Sequence, residues 1–153
     1  MAAYFMDSSA LAKRYVAETG SVWVNGLVRP ADGHRIHVSR ITGAEVMAAL
    51  ARRRRGGSLG QSEADAAARQ LRADFLTVLR ISEVSAEVVA DAMDLAWRYG
   101  LRGYDAVQLS AAVELNRGYR DAGVAMTVVC SDAEFNKAAT AEGLAVDDPN
   151  RHP

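Results

Sequence analysis

The first apolar run, Ala2 to Met6, is short, contains two aromatics and stops at Asp7-Ser8-Ser9, after which Leu11, Tyr15 and Val16 recur at helical spacing. This pattern predicts a strand, a sharp turn and a helix. Val22 to Val28 reads as a second short helix before the Pro30-Ala31-Asp32-Gly33 turn, and Ile36 to Ser39 alternates as a brief strand does. A third helix follows. It opens at Thr42 with Glu45 three residues on, the pattern of a capping box, and closes with Arg52 to Arg55 before Gly56-Gly57.

Further along, the periodicity predicts a helix over Ser62 to Leu76, a strand over Val78 to Ser82 and an amphipathic helix from Ser85 to Tyr99 that ends at Gly100. Tyr104 to Asn116 continues in helical register. Ala125 to Cys130 is the most strand-like stretch, followed by a helix over Asp132 to Glu142 and an edge strand over Leu144 to Asp147. Strands alternating with helices imply parallel pairing with helices on both faces, hence a three-layer α/β/α sandwich around a mostly parallel sheet. One domain over residues 1–148 is expected, with 149–153 a short flexible tail.

The composition agrees with that architecture. A chain of 153 residues that is 50% hydrophobic can bury a core without disulfide or metal staples. Eighteen basic and nineteen acidic residues leave a net charge of -1, so any nucleic-acid binding has to come from local patches. The basic residues are nearly all arginine, which suits bidentate contacts to phosphate or carboxylate, although a GC-rich genome produces the same bias. The single cysteine, Cys130, sits in an apolar run, excludes an internal disulfide and points to a reducing compartment. With neither a membrane-length apolar stretch nor a signal-like N-terminus, a cytoplasmic protein is expected.

Four acidic residues carry the candidate chemistry. Asp7 and Asp132 follow the C-terminal ends of predicted strands, the edge at which parallel sheets bind ligands, yet an aspartate there is also an ordinary helix cap, as Ser9 or Asp132 would be. Asp105 shares a helix face with Leu109, Ala112 and Val113, so it needs a cation, a metal or hydrogen-bond donors. A first-turn acid paired with Arg102 is the plainer alternative. Glu45 completes the capping box with Thr42, but Ala44, Ala48 and Ala49 around it leave a surface without bulk on which a carboxylate faces a cavity.

If the four converge, their repulsion decides the chemistry. Two such charges about 5 Å apart repel by roughly 3 kcal/mol at an effective dielectric near 20, so the cluster calls for a divalent cation or a shared proton. All-oxygen ligation without a Cys/His set at ligand spacing selects Mg²⁺ or Mn²⁺ over zinc. His34, His37 and His152 are scattered and read as surface or packing residues. Phosphodiester hydrolysis by metal-activated water follows from such a site. The chain has no glycine-rich nucleotide loop and no evident partner for a serine or cysteine nucleophile, which weakens nucleotide-driven and triad chemistries.

With these residues in place the sequence resembles the PIN-domain ribonucleases, specifically the VapC-type toxins of bacterial toxin–antitoxin pairs. The resemblance spans nearly the whole chain. It rests on Asp7-Ser8-Ser9-Ala10-Leu11-Ala12-Lys13, on Glu45, on Leu101 to Leu109 around Asp105, and on Ser131-Asp132 with Phe135-Asn136-Lys137-Ala138-Ala139. It implies a homodimer that cleaves RNA with Mg²⁺ or Mn²⁺ and is neutralised by a cognate antitoxin. Asp7, Glu45, Asp105 and Asp132 are the implied catalytic acids; Asp7 and Asp105 are the chief metal ligands and Asp132 a third. Ser9 matches a small hydroxyl that positions metal or water, and Glu134 stands where many relatives carry a further acid.

Arg52, Arg53, Arg54 and Arg55 are candidates for contact with RNA or antitoxin, against a role in solvating the end of the helix. Trp23, Trp97, Tyr99 and Tyr104 have helical spacing beside apolar residues, a pattern of core or dimer interface more than of base stacking. The rival from another class is a catalytically inactive PIN-like module that binds RNA or protein. A receiver or aspartyl-phosphate phosphatase fits less well, because the phosphatase pattern wants an aspartate where Ser9 stands.

Overall fold

Side chains alternate across each strand, and that alternation builds two cores. In a computed structural model describing residues 1–153, β1 (Ala3–Met6) sends Ala3 and Phe5 to one face and Met6 to the other, while β4 (Met126–Val129) divides Met126 and Val128 from Val129 in the same way. With β2 (Arg35–Ser39), β3 (Arg80–Ser82) and β5 (Ala145–Asp147) they form one parallel sheet in the order β3-β2-β1-β4-β5. The predicted edge strand is at the edge.

Helices cover both faces. On one side lie α1 (Ser8–Leu11), α2 (Ser21–Leu27), α3 (Thr42–Arg55) and α4 (Gln61–Thr77), which bury Leu11, Val24, Val46, Leu50 and Leu71 against Ile36, Val38 and Val129. On the other, α5 (Ala86–Tyr99), α6 (Gly103–Asp121) and α7 (Ala133–Ala141) bury Val88, Leu109 and Phe135 against Phe5 and Val128. Each such side chain contributes roughly 1.5–3 kcal/mol when fully buried. The result is the expected three-layer α/β/α sandwich. No helix is long and apolar enough to cross a membrane.

Three local expectations need correction. α1 is one turn long and passes into a 3₁₀ turn over Ala12–Arg14, because Arg14 and Tyr15 are drawn to Asp74 on α4. Asp74 is buried and accepts from Arg14 Nε at 2.6 Å, Arg14 Nη2 at 3.2 Å, Tyr15 Oη at 2.8 Å and Gln70 Nε2 at 2.9 Å. Burial alone would raise its pKa, but these donors, led by Arg14, hold the carboxyl below its usual value.

α6 runs five residues past the expected Asn116, to Asp121, which brings the Tyr119 hydroxyl within 2.7 Å of Nε2 of the buried His37.

Of residues 149–153, expected to be a loose tail, Pro149, Asn150 and His152 are held against the domain. Pro149 is buried against Gly20, whose φ of +86° and lack of a Cβ allow the approach; a Cβ there would sit 2.4 Å from the Pro149 carbonyl oxygen. Asn150 Oδ1 accepts from Lys13 Nζ at 2.9 Å, and the His152 ring stacks on Trp23 with centroids 4.0 Å apart.

Candidate active site

The sheet order places the site. The chain leaves β1 towards β2 on one side, and later returns to lay β4 on the other, so the C-terminal ends of β1 and β4 flank a topological switch point. Asp7 follows β1 directly, Ser131 and Asp132 follow β4, and Asp7 N–H donates to the Val129 carbonyl at 3.2 Å. From there an open groove of about 680 Å³ runs along α3 and past the start of α6. Asp7, Glu45, Asp105 and Asp132 all line it, together with Ser9, Arg52, Arg53 and Arg102.

Asp7 caps α1, accepting from Ala10 N–H at 3.0 Å and from the Ser9 hydroxyl at 2.7 Å through the same Oδ1. Burial pushes its carboxyl up to about 6, although those donors act in the opposite direction. Ser9 also accepts from Ser131 N–H at 2.9 Å, so it stitches the two strand ends together and is not itself a cap. Asp132 does cap α7, with Phe135 N–H donating to it at 2.9 Å.

Glu45 is not part of a capping box. Thr42 is already within α3, which has Ile41 as its cap without a side-chain bond, and the Glu45 carboxylate points to other elements. Ser8 Oγ donates to one of its oxygens at 3.2 Å and Gln108 Nε2 to the other at 2.6 Å. The first turn of α3 is held by tertiary contacts, which the local pattern could not reveal.

Asp105 lies in the first turn of α6, where Arg102 Nε reaches Oδ2 at 3.3 Å while Arg102 Nη2 stands 3.9 Å from Asp132. The Arg102 side chain is 84% exposed. It is a solvated cation leaning across two acids, worth at most about 1 kcal/mol as an ion pair. Glu134 is exposed, pairs with Lys137 at 2.9 Å and does not line the groove; the fifth acid that does, Glu18, is paired with Lys13 and Arg53.

The arginine run divides. Arg52 and Arg53 line the groove, Arg54 and Arg55 do not, and Arg53 is held by Glu18 at 2.7 Å. Lys13, buried at the same end, donates to Glu18, the Thr19 carbonyl and Asn150. The groove is therefore acidic at the strand ends and basic further along α3. Of the aromatics, Trp23 and Tyr99 pack against the two cores, whereas Trp97 is 92% and Tyr104 64% exposed, with Tyr104 on the groove wall.

A hard divalent cation fits this donor set. The groove acids offer only oxygen, Asp7 carries a desolvated charge that a cation would stabilise, and Ser131, which also lines the groove, has a buried Oγ without a partner. No three acidic, His or Cys donors surround one point, so an ion held here takes one or two carboxylates and completes its shell with solvent, as Mg²⁺ does. Burial drives the Cys130 thiol far above its ordinary value and keeps it protonated, so it is no nucleophile. Gln108 lies in the Leu101 to Leu109 stretch without a role assigned from sequence; its one signal is an amide three residues after Asp105, beside Leu109, Ala111 and Ala112.

The PIN domain profile matches residues 4–140. Ribonuclease VapC45 of Mycobacterium tuberculosis is 34% identical over 142 residues, covering 93% of this chain and 92% of that one. Among solved structures, VapBC2 from Rickettsia felis, bound to a DNA fragment from its promoter, superposes with a TM-score of 0.62 at 17% identity over 95% of this chain and 98% of the other. The sarcin–ricin-loop-cleaving toxin VapC20 of Mycobacterium tuberculosis gives 0.61 at 20% identity over 88% and 94%.

Proposed function

Since the chain belongs to the PIN-domain family, in its VapC-type branch, we propose that it is a divalent-metal-dependent endoribonuclease, the toxin of a toxin–antitoxin pair. The observation that carries this reading is the meeting of Asp7, Glu45, Asp105 and Asp132 in one groove at the switch point of the sheet. An inactive binding module would have no use for four converging charges that repel one another.

Asp7, Asp105 and Asp132 are the residues from which one or two carboxylates at a time would hold Mg²⁺ or Mn²⁺. Such an ion supplies a water of lowered pKa and stabilises charge on a phosphoryl oxygen. Ser9 fixes the Asp7 carboxylate through the 2.7 Å bond. Glu45, with one donor on each oxygen, retains lone pairs to accept a proton from attacking water. Arg52, for which no ion-pair partner is found, sits seven residues beyond Glu45 on α3. At 1.5 Å rise per residue it lies about 10 Å along the helix, within reach of a neighbouring phosphate of a single strand.

A cytoplasmic setting, a cognate antitoxin and a homodimer complete the reading. An antitoxin arginine placed among the acids would do more firmly what Arg102 does loosely, replacing the cation's charge and blocking the phosphate site. For the homodimer, Val89, Met93 and Trp97 form an exposed apolar stripe at four-residue spacing on α5. Cleavage of a mixed single-stranded RNA pool, with and without Mg²⁺, by wild type and Asp7→Asn tests the proposal. Activity only in metal-loaded wild type is expected, and equal, metal-insensitive backgrounds would reject it.

A further inference from the structure

Gln108 is 1% exposed, lies one turn beyond Asp105 on α6 and does not line the groove. Its Nε2 donates to Thr42 Oγ1 at 2.8 Å and to Glu45 Oε1 at 2.6 Å. Both bonds cross from α6 to the first turn of α3. Its own Oε1, by contrast, is buried without a partner, where a core amide ordinarily satisfies both ends.

The orphaned oxygen shows what sets the side chain's orientation. Reversing the amide would put Oε1 against the Glu45 carboxylate, acceptor against acceptor, so the carboxylate dictates which end faces it. The amide serves Glu45 at the expense of its own acceptor. A glutamate has three side-chain torsions to restrain, and here Gln108 holds one oxygen while Ser8 holds the other. Because Gln108 and Asp105 share a single helical turn, the donor that restrains Glu45 is rigidly tied to another of the acids.

We propose that Gln108 is a positioning residue for RNA cleavage, clamping the Glu45 carboxylate of α3 in fixed relation to Asp105 of α6. The proposal rests on the ribonuclease reading above. Gln108 touches no substrate; it acts through Glu45, and its loss lets that carboxylate wander from the place where a proton must be accepted.

The test measures kcat and KM for Mg²⁺-dependent cleavage of a short single-stranded RNA by the full chain and by Gln108→Met, Glu45→Ala and the double variant. Methionine keeps length and volume and removes both donors. Gln108→Met is expected to lower kcat about 10- to 100-fold with KM within about threefold, since small misplacements of reacting groups carry losses of that order. On the Glu45→Ala background it is expected to add nothing. A kcat within about threefold of wild type, or a full further loss in the double variant, overturns the proposal.

A second readout needs no activity and covers a Gln108→Met protein that does not fold. In a ¹H–¹⁵N spectrum of the folded wild type, the Gln108 side-chain protons are expected to exchange slowly and to shift on Glu45→Ala. Fast exchange, or indifference to Glu45→Ala, overturns the clamp. Should the wild type cleave no RNA with any divalent cation, the ribonuclease reading falls, and the spectrum still decides whether Gln108 holds Glu45.

Discussion

Ser9 donates to the Asp7 carboxylate at 2.7 Å, and the same hydroxyl accepts from Ser131 N–H at 2.9 Å, so one small side chain ties the end of β1 to the end of β4 where the acids gather. Asp7 is thereby both the cap of α1 and a buried anion with no cation beside it. These two roles separate in a substitution.

Asp7→Asn keeps a good capping side chain and removes the buried charge. Metal-free stability is expected to equal or exceed that of wild type, while cleavage is lost. Mn²⁺ at ten times its Kd should stabilise wild type by about 1.4 kcal/mol and leave the variant unmoved, as thermal melts with and without metal would show. A variant that unfolds would make Asp7 a structural residue first.

Arg102 leans across Asp105 and Asp132 from solvent, so it competes with any cation that those carboxylates bind. Arg102→Ala should tighten Mn²⁺ binding by about two- to fivefold, the factor that an exposed pair of up to about 1 kcal/mol represents, with little change in folding stability. Calorimetric titration of both proteins checks this. Weaker binding in the variant would mean that the arginine helps to build the site.

Asp74 satisfies four donors in the interior and anchors the chain just after α1 to α4. Asp74→Ala strands Arg14 and Tyr15 without their acceptor and is expected to cost about 3 kcal/mol in urea denaturation. A loss below about 1 kcal/mol would show that solvent replaces the carboxylate easily.

His37 titrates at about 4 instead of 6.5, chiefly because it is buried and secondarily because Arg80 and Arg35 are near. Its Nε2 and the Tyr119 hydroxyl share a 2.7 Å hydrogen bond whose direction follows the tautomer of the neutral ring. Between pH 6.5 and about 4 the unfolded chain binds a proton that the folded chain does not, so this contribution is complete above pH 6.5 and declines as pH falls through that window. Between pH 7.5 and 5 wild type should lose about 1 kcal/mol more than His37→Gln, after allowance for solvent screening. Parallel pH dependences would remove His37 as the cause.

Trp97 closes the apolar stripe of α5 and is 92% exposed. If that stripe is the dimer surface, Trp97→Glu should weaken self-association at least about tenfold by sedimentation, because buried tryptophan is a frequent interface anchor. Unchanged association would place the interface elsewhere.

Much of this protein is written in local pattern. The strand-and-helix alternation, the ends of α5 and α7 and the positions of Asp7 and Asp132 after strands follow from periodicity and capping chemistry over a few residues, which any neighbourhood of the fold respects. Other features depend on residues that are distant in the chain. Glu45 and Thr42 look like a capping box because three-residue spacing is all that a local reading contains, yet Ser8 and Gln108, 37 and 63 residues from Glu45, claim its carboxylate. The packed tail is a similar case, since Gly20, Trp23 and Lys13 receive it from more than a hundred residues away. So the sequence by itself determined the order of the elements, the layers and four acids that line one groove. Only the tertiary structure decided which acid is buried, which amide restrains Glu45 and which arginines face the groove, because burial and hydrogen-bond partnership come into being when separate helices meet at the switch point of the sheet.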